Sequence, residues 1–230
     1  NKDERQETLC ALIKETVAHG GVLMIPAFAL ERTQEIIYEL NALVEQNLIP
    51  RVPVFLDSPL AIKLTAVYQK YSEDPIYFNK ESIQRIEQGD AIFNFPELHM
   101  TLTSEESKGI NNIPPPKVII AGAGMSQAGR ILHHELRYLS DPKSAILFVG
   151  YQADGSLGRR ILQGAYSVRI FGEDVSVRCH TKAIGGYSAH ADQPQLLQWI
   201  KTLTPNLKKL FVVQGEGRES LPLAEKAREQ

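Results

Sequence analysis

The stretch AIGGYSAHADQPQ (183–195) holds a histidine where chemistry is feasible. Two glycines, Tyr187 and Ser188 lead into His190, and Asp192 and Pro194 then open the helical pattern LLQWIKTL. A strand that ends in glycine, turns tightly and feeds a helix is where α/β proteins place reacting groups. From residue type alone, His190 fits a helix cap, a general acid or a metal ligand. The last two roles need carboxylates or further histidines beside it. Gly186-Tyr187-Ser188-Ala189-His190 also approaches the G-x-S-x-G nucleophile elbow. The closing glycine is a histidine here, however, and no histidine follows His190 to complete a Ser–Asp–His order.

The other histidines do not assemble a metal site by spacing. His133 and His134 are adjacent on a predicted helix and point about 100° apart, without the i, i+4 spacing of a zinc-binding helix. His19, His99 and His180 stand alone, and neither H-x-H-x-D-H nor H-E-x-x-H occurs. Cys10 and Cys179 lie far apart and form no C-x-x-C pair, which fits a reducing, cytoplasmic setting.

The elements that must position these residues alternate on a short repeat. Leu9, Leu12, Ile13 and Val17 form a helical stripe that ends at Gly20-Gly21. Buried-strand runs are expected at 21–28, 52–57, 117–124, 144–151 and 208–216, with a further strand around LHMTLT. Helices are expected at 31–46, from Ser58-Pro59, around 81–88, in GRILHHELRYL, in SLGRRILQG, after Asp192 and from Ser220. SVRIFGEDVSVRCHTK (167–182) reads as a β-hairpin turning at Gly172-Glu173-Asp174. Apolar strands alternating with helices predict an α/β fold, a mostly parallel sheet with flanking helices. The strand order is expected to reverse near Asp57-Ser58 and Gly122–Arg130.

In such a sheet the ligand sits at the carboxyl ends of the strands. Those ends read PAFALER, LDSPLA, AGAGMSQAGR, GYQADGSLGR, GGYSAHADQ and VVQGEGRES. Glycine and serine ahead of a helix N-terminus favour phosphate. Ser58, Lys63, Ser126, Arg130 and Ser188 are therefore the candidate phosphate contacts. The plainer alternative makes the serines helix caps and Arg130 a surface residue.

Composition narrows the partners. A net charge of −2 and a pI near 6.3 give no global basic field, so nucleic acid would have to be held by a local groove. No run approaches the roughly 20 apolar residues of a membrane span. The opening NKDERQETLCALIKETV reads as a helix already under way, and the chain is expected to be a fragment.

IPAFALERTQE, DSPLA, AGAGMSQAGRILHHEL, FVGYQADGSLGRRIL and GGYSAHADQ, in that order, resemble the β-CASP branch of the metallo-β-lactamase superfamily. The resemblance covers nearly all 230 residues. It implies a β-CASP domain at 1–182, followed at 183–230 by the C-terminal part of a metallo-β-lactamase αββα domain. It further implies RNA as partner, with a homodimer allowed, and two zinc ions (Zn2+) whose ligands lie mostly upstream of this chain. The family's S-[AG]-H motif falls on Ser188-Ala189-His190, which implies that His190 is the general acid on the leaving-group oxygen. An acidic residue upstream would orient it.

One position departs from the family. Its V-H-G-E motif, whose histidine ligates the second zinc, is Val213-Gln214-Gly215-Glu216 here. A glutamine amide is a poor substitute for imidazole on zinc. The expected function is a zinc-dependent ribonuclease to which this chain supplies the lid and the general acid. Its rivals are a catalytically silent RNA-binding or assembly subunit, and a DNA-processing nuclease of the same fold.

Overall fold

A computed structural model describes residues 2–187 and 190–229, which form two compact units, Asn1–Tyr187 and Ser188–Gln230. The division falls a few residues after the boundary expected from the sequence. Ser188, one of the candidate phosphate contacts, lies outside the described residues.

The first unit runs α1 (Lys2–Ala18), β1 (Val22–Pro26), α2 (Arg32–Glu45), β2 (Val54–Asp57), α3 (Pro59–Lys70), α4 (Lys80–Glu87), β3 (Leu98–Met100) and α5 (Ser104–Gly109). It continues with β4 (Lys117–Ala121), α6 (Ile131–Tyr138), β5 (Ala145–Phe148), α7 (Leu157–Leu162), β6 (Ser167–Ile170), β7 (Glu173–Ser176) and β8 (His180–Ala183). Six strands form one sheet in the order β3-β2-β4-β1-β5-β8, and every pairing in it is parallel.

β1, β2, β4 and β5 are buried along their whole length, because helices cover both faces. Alternate residues go to opposite sides. Leu23, Ile25, Leu56, Val118, Ile120 and Leu147 pack with Leu9 and Ile13 of α1 and Ile36, Ile37 and Leu40 of α2. Val22, Met24, Phe55, Ile119, Ile146 and Phe148 pack with Ile131 of α6, Ile161 of α7 and Val168, Ile170 and Val175 of the hairpin. The helical stripe expected in α1 is this first layer.

The chain moves from β1 out to β2 and β3, returns with β4 between β2 and β1, and then moves the other way to β5 and β8. Connections leave β1 and β4 in opposite directions, so the strand order reverses between these two neighbours. The expected reversal at Gly122–Arg130 follows β4 and is met. Asp57-Ser58 follows β2, one strand further out.

Two local expectations change. The hairpin closes at β6 and β7 and turns at Phe171-Gly172, because Glu173 and Asp174 already pair with Ile170 and Arg169. Residues 180–183 leave it to pair with β5 as β8. The run 208–216 forms no strand among the described residues. The second unit contributes α8 (Gln193–Leu203) and α9 (Gly217–Arg228) and no described strand, so an apolar segment there has no ladder to join. Phe211 and Val213 accordingly stay exposed, at 78% and 74%.

Candidate functional site

The carboxyl edge of the sheet is organised around Asp57, the last residue of β2 and fully buried. Oδ1 accepts from Thr101 Oγ1 at 2.7 Å and from an Arg130 amino group at 2.8 Å. Oδ2 accepts from Ser107 Oγ at 2.7 Å and lies 2.7 Å from His134 Nε2. Burial pushes the carboxyl upward, but the hydrogen bonds from His134, Thr101 and Ser107 outweigh it and hold the pKa down at about 2. An ionised carboxylate can only accept, so His134 donates from Nε2. One side chain thus ties together the ends of β2 and β3, α5 and the start of α6.

Arg130 completes this clamp. Besides Asp57, it donates to the carbonyls of Thr101 at 2.9 Å and Leu102 at 3.0 Å. Three of the five guanidinium hydrogens are therefore committed to the protein. These bonds give Arg130 a structural role across β2 and β3, the plainer of the two roles that the sequence allowed.

Ser126 differs from expectation more sharply. It follows β4 in a turn with positive φ and is fully buried, with its hydroxyl donated to Glu135 of α6. A hydroxyl with no exposure and a committed proton does not line a groove. Ser58 caps α3, accepting from the Ala61 N–H at 3.4 Å, with Pro59 in the first turn. Lys63 is exposed on the same helix. Of the four described phosphate candidates, Lys63 is exposed, Ser58 and Arg130 are half-buried, and Ser126 is buried.

Glu135 is the second titratable group in this layer. Burial pushes its carboxyl up to about 8, against a smaller downward effect of the Ser126 hydroxyl. Its Oε2 has no hydrogen-bond partner among the described residues. The folded protein therefore keeps a proton that the unfolded chain gives up between the usual 4.5 and about 8. Stability from this residue falls as pH rises across that window and is level above it. Glu135→Gln is expected to remove that fall, so its thermal midpoint should drop less than the wild type's between pH 5 and 8. Parallel profiles for the two proteins would show that Glu135 titrates normally.

Glycines let the edge close. Gly124 lies under Phe28, where an added Cβ would stand 2.9 Å from the ring. Gly129 has φ +81 and faces the Gly122 carbonyl, which a Cβ would meet at 2.3 Å. Gln152 fastens the next turn, donating to the carbonyls of Gly124 at 2.9 Å and Gly150 at 3.1 Å.

In the second unit His190 is exposed, just ahead of Asp192, which caps α8 in a capping box with Gln195. Gln214 is exposed with φ 63, shortly before α9 begins. Lys226 of α9 donates to Gln193 of α8 at 2.7 Å. Among the described residues no group of three or more His, Cys, Asp or Glu is arranged to hold a metal. These residues do not by themselves fit a zinc centre.

The sequence reading missed His134 and Ser107 as partners of Asp57. An acid ending an otherwise apolar, buried strand was the available signal, because it must find donors. His133, its neighbour on α6, is exposed and rests on Phe171, with ring centroids 4.7 Å apart.

A doubly wound parallel sheet with a glycine-rich carboxyl edge, followed by the His190 turn, defines the class, and the chain belongs to the β-CASP family. Residues 33–161 match the Beta-Casp domain, and residues 174–230 match the Zn-dependent metallo-hydrolase RNA specificity domain. Ribonuclease TTHA0252 of Thermus thermophilus is 39% identical over 212 residues, 92% of this chain and 47% of the relative. Transcription termination factor FttA of Methanosarcina mazei is 32% identical over 228 residues, 96% of this chain and 35% of the relative. An RNase J-like protein of Methanocaldococcus jannaschii is 34% identical over 221 residues, 96% of this chain and 49% of the relative. The chain thus spans about half or less of the length of these relatives.

Proposed function

We propose that the full-length protein carrying this chain is a zinc-dependent ribonuclease that hydrolyses phosphodiester bonds in RNA. The observation that carries this reading is the match of residues 174–230 to a metallo-hydrolase RNA specificity domain, in a chain whose preceding residues match Beta-Casp. The two ribonuclease-named relatives, aligned over nearly the whole chain, support it. In this reading two zinc ions are held mostly by residues outside this chain. His190 is the general acid, and Ser58, Lys63 and Ser188 lie along the substrate's phosphates.

Gln214 favours a second reading, a subunit that binds RNA without cleaving it. It occupies the place of the family's ligand histidine and offers zinc only an amide. The test is hydrolysis of single-stranded RNA by the full-length protein. The expected result is cleavage that chelation abolishes and zinc restores. RNA that is bound but remains intact with zinc present would favour the silent subunit, and Gln214→His would then be expected to raise both zinc content and turnover.

A further inference from the structure

The hairpin of β6 and β7 turns on an unusual residue. Ile170 and Glu173 are paired, so Phe171 and Gly172 alone make the turn, and both have positive φ, 50 and 87. The first position of such a two-residue turn ordinarily goes to Asn, Asp or Gly, because a Cβ there crowds the backbone. A bulky ring in left-handed backbone is strained, and outliers of this kind gather where a side chain has a task.

Packing is a poor account of the ring. Phe171 is 57% exposed, while Val168, Ile170 and Val175 already bury the inner face of the hairpin. The ring meets that of His133, itself exposed on α6, with centroids 4.7 Å apart and planes 32° from parallel. The turn thus brings two rings together at the surface and leaves much of both in water.

Charged groups flank the pair. Arg169 donates from Nε to the Gly172 carbonyl at 3.1 Å, which keeps its guanidinium at the tip. Arg137 is exposed one helical turn after His133. Glu173 and Asp174 follow the turn, with Asp174 opposite Arg169 in the ladder. Both signs are present, so the rings, more than net charge, decide what is held. Among the described residues no large apolar side chain of α6, β6 or β7 is exposed, so the rings stand apart from any apolar patch that would suit a protein partner.

We propose that Phe171 and His133 form a stacking platform for a nucleobase of single-stranded RNA, with Arg137 and Arg169 placed for the flanking phosphates. A base lays a flat face on a ring and keeps its polar edges in water, which fits an aromatic pair set among charges. The residues that match the RNA specificity domain begin at 174, inside β7 of this hairpin. RNA as the ligand rests on the ribonuclease reading; the platform itself uses neither His190 nor zinc.

The test measures binding by the full-length protein of a hydrolysis-resistant phosphorothioate oligoadenylate and of the same backbone without bases. Stacking on one aromatic side chain is worth roughly 5- to 100-fold in affinity, so Phe171→Asn is expected to weaken oligoadenylate binding by that range. The base-free strand should bind wild type and Phe171→Asn equally. Asn tolerates left-handed backbone, so the thermal midpoint of the variant should hold or rise. Phe171→Tyr should keep the wild-type affinity. Arg169→Ala should weaken both strands and make the salt dependence shallower.

A Phe171→Asn protein with a lower midpoint and unchanged oligoadenylate affinity would make Phe171 a packing residue and overturn the platform, leaving the ribonuclease reading standing. An equal loss on both strands would overturn stacking in the same way. A wild-type protein that binds neither strand would overturn the ribonuclease reading and the platform with it.

Discussion

Asp57→Ala is expected to destabilise the first unit by about 3–5 kcal/mol, the cost of breaking a buried charged pair by removing one partner. Four donors converge on this carboxylate, from Thr101, Ser107, Arg130 and His134. Removing it strands them in a place with no exposure of its own. Each unpaired buried group costs about 1–3 kcal/mol, and Arg130, which is partly exposed, recovers some hydration. Asp57→Asn keeps the shape but loses the charge and offers an N–H where donors already point, so it should also be destabilised, though less.

The pH dependence has a definite sign. Because the folded carboxyl is held at about 2, below its usual 3.8, its contribution is complete above 3.8 and is lost as pH falls through 2. Denaturant midpoints of wild type and Asp57→Ala at neutral pH check the size. A difference under about 1 kcal/mol, well below the cost of leaving buried charges unpaired, would show that the network is not what holds the edge.

Much of this edge could be read from residue order. Apolar runs bounded by glycine or proline gave β1, β2, β4 and β5, since a strand covered on both sides has no reason to alternate. The caps at Ser58 and Asp192 were visible because a short polar side chain before a proline-opened helix has a local reason to be there.

What stayed hidden depends on contacts far apart in the chain. The turn AGAGMSQAGR announces tight backbone, but not that Ser126 faces Glu135 or that Arg130 reaches Asp57, 73 residues earlier. The same holds for Tyr187, whose partner Glu39 lies 148 residues away. KKLFVVQGE has the composition of a strand, yet composition cannot supply a partner strand, and none is described in its unit.

His190→Ala is expected to have the largest effect on activity. A general acid typically contributes about 100- to 10,000-fold, because an alkoxide leaving group departs poorly without a proton. Replacement should therefore lower turnover on RNA by that range. RNA affinity should change little, since affinity for a polyanion rests mainly on phosphate contacts. His190 stands exposed beside the capped start of α8, and no described group of His, Cys, Asp or Glu around it is arranged as a metal site. Under the proposed function the imidazole transfers a proton and does not bind metal.

The most direct test of that assignment is zinc content and RNA turnover measured on the same preparations of full-length wild type and His190→Ala. The expected result is equal zinc per protein, with turnover down by about 100-fold or more. Zinc lost in step with activity would contradict the account and make His190 a metal ligand.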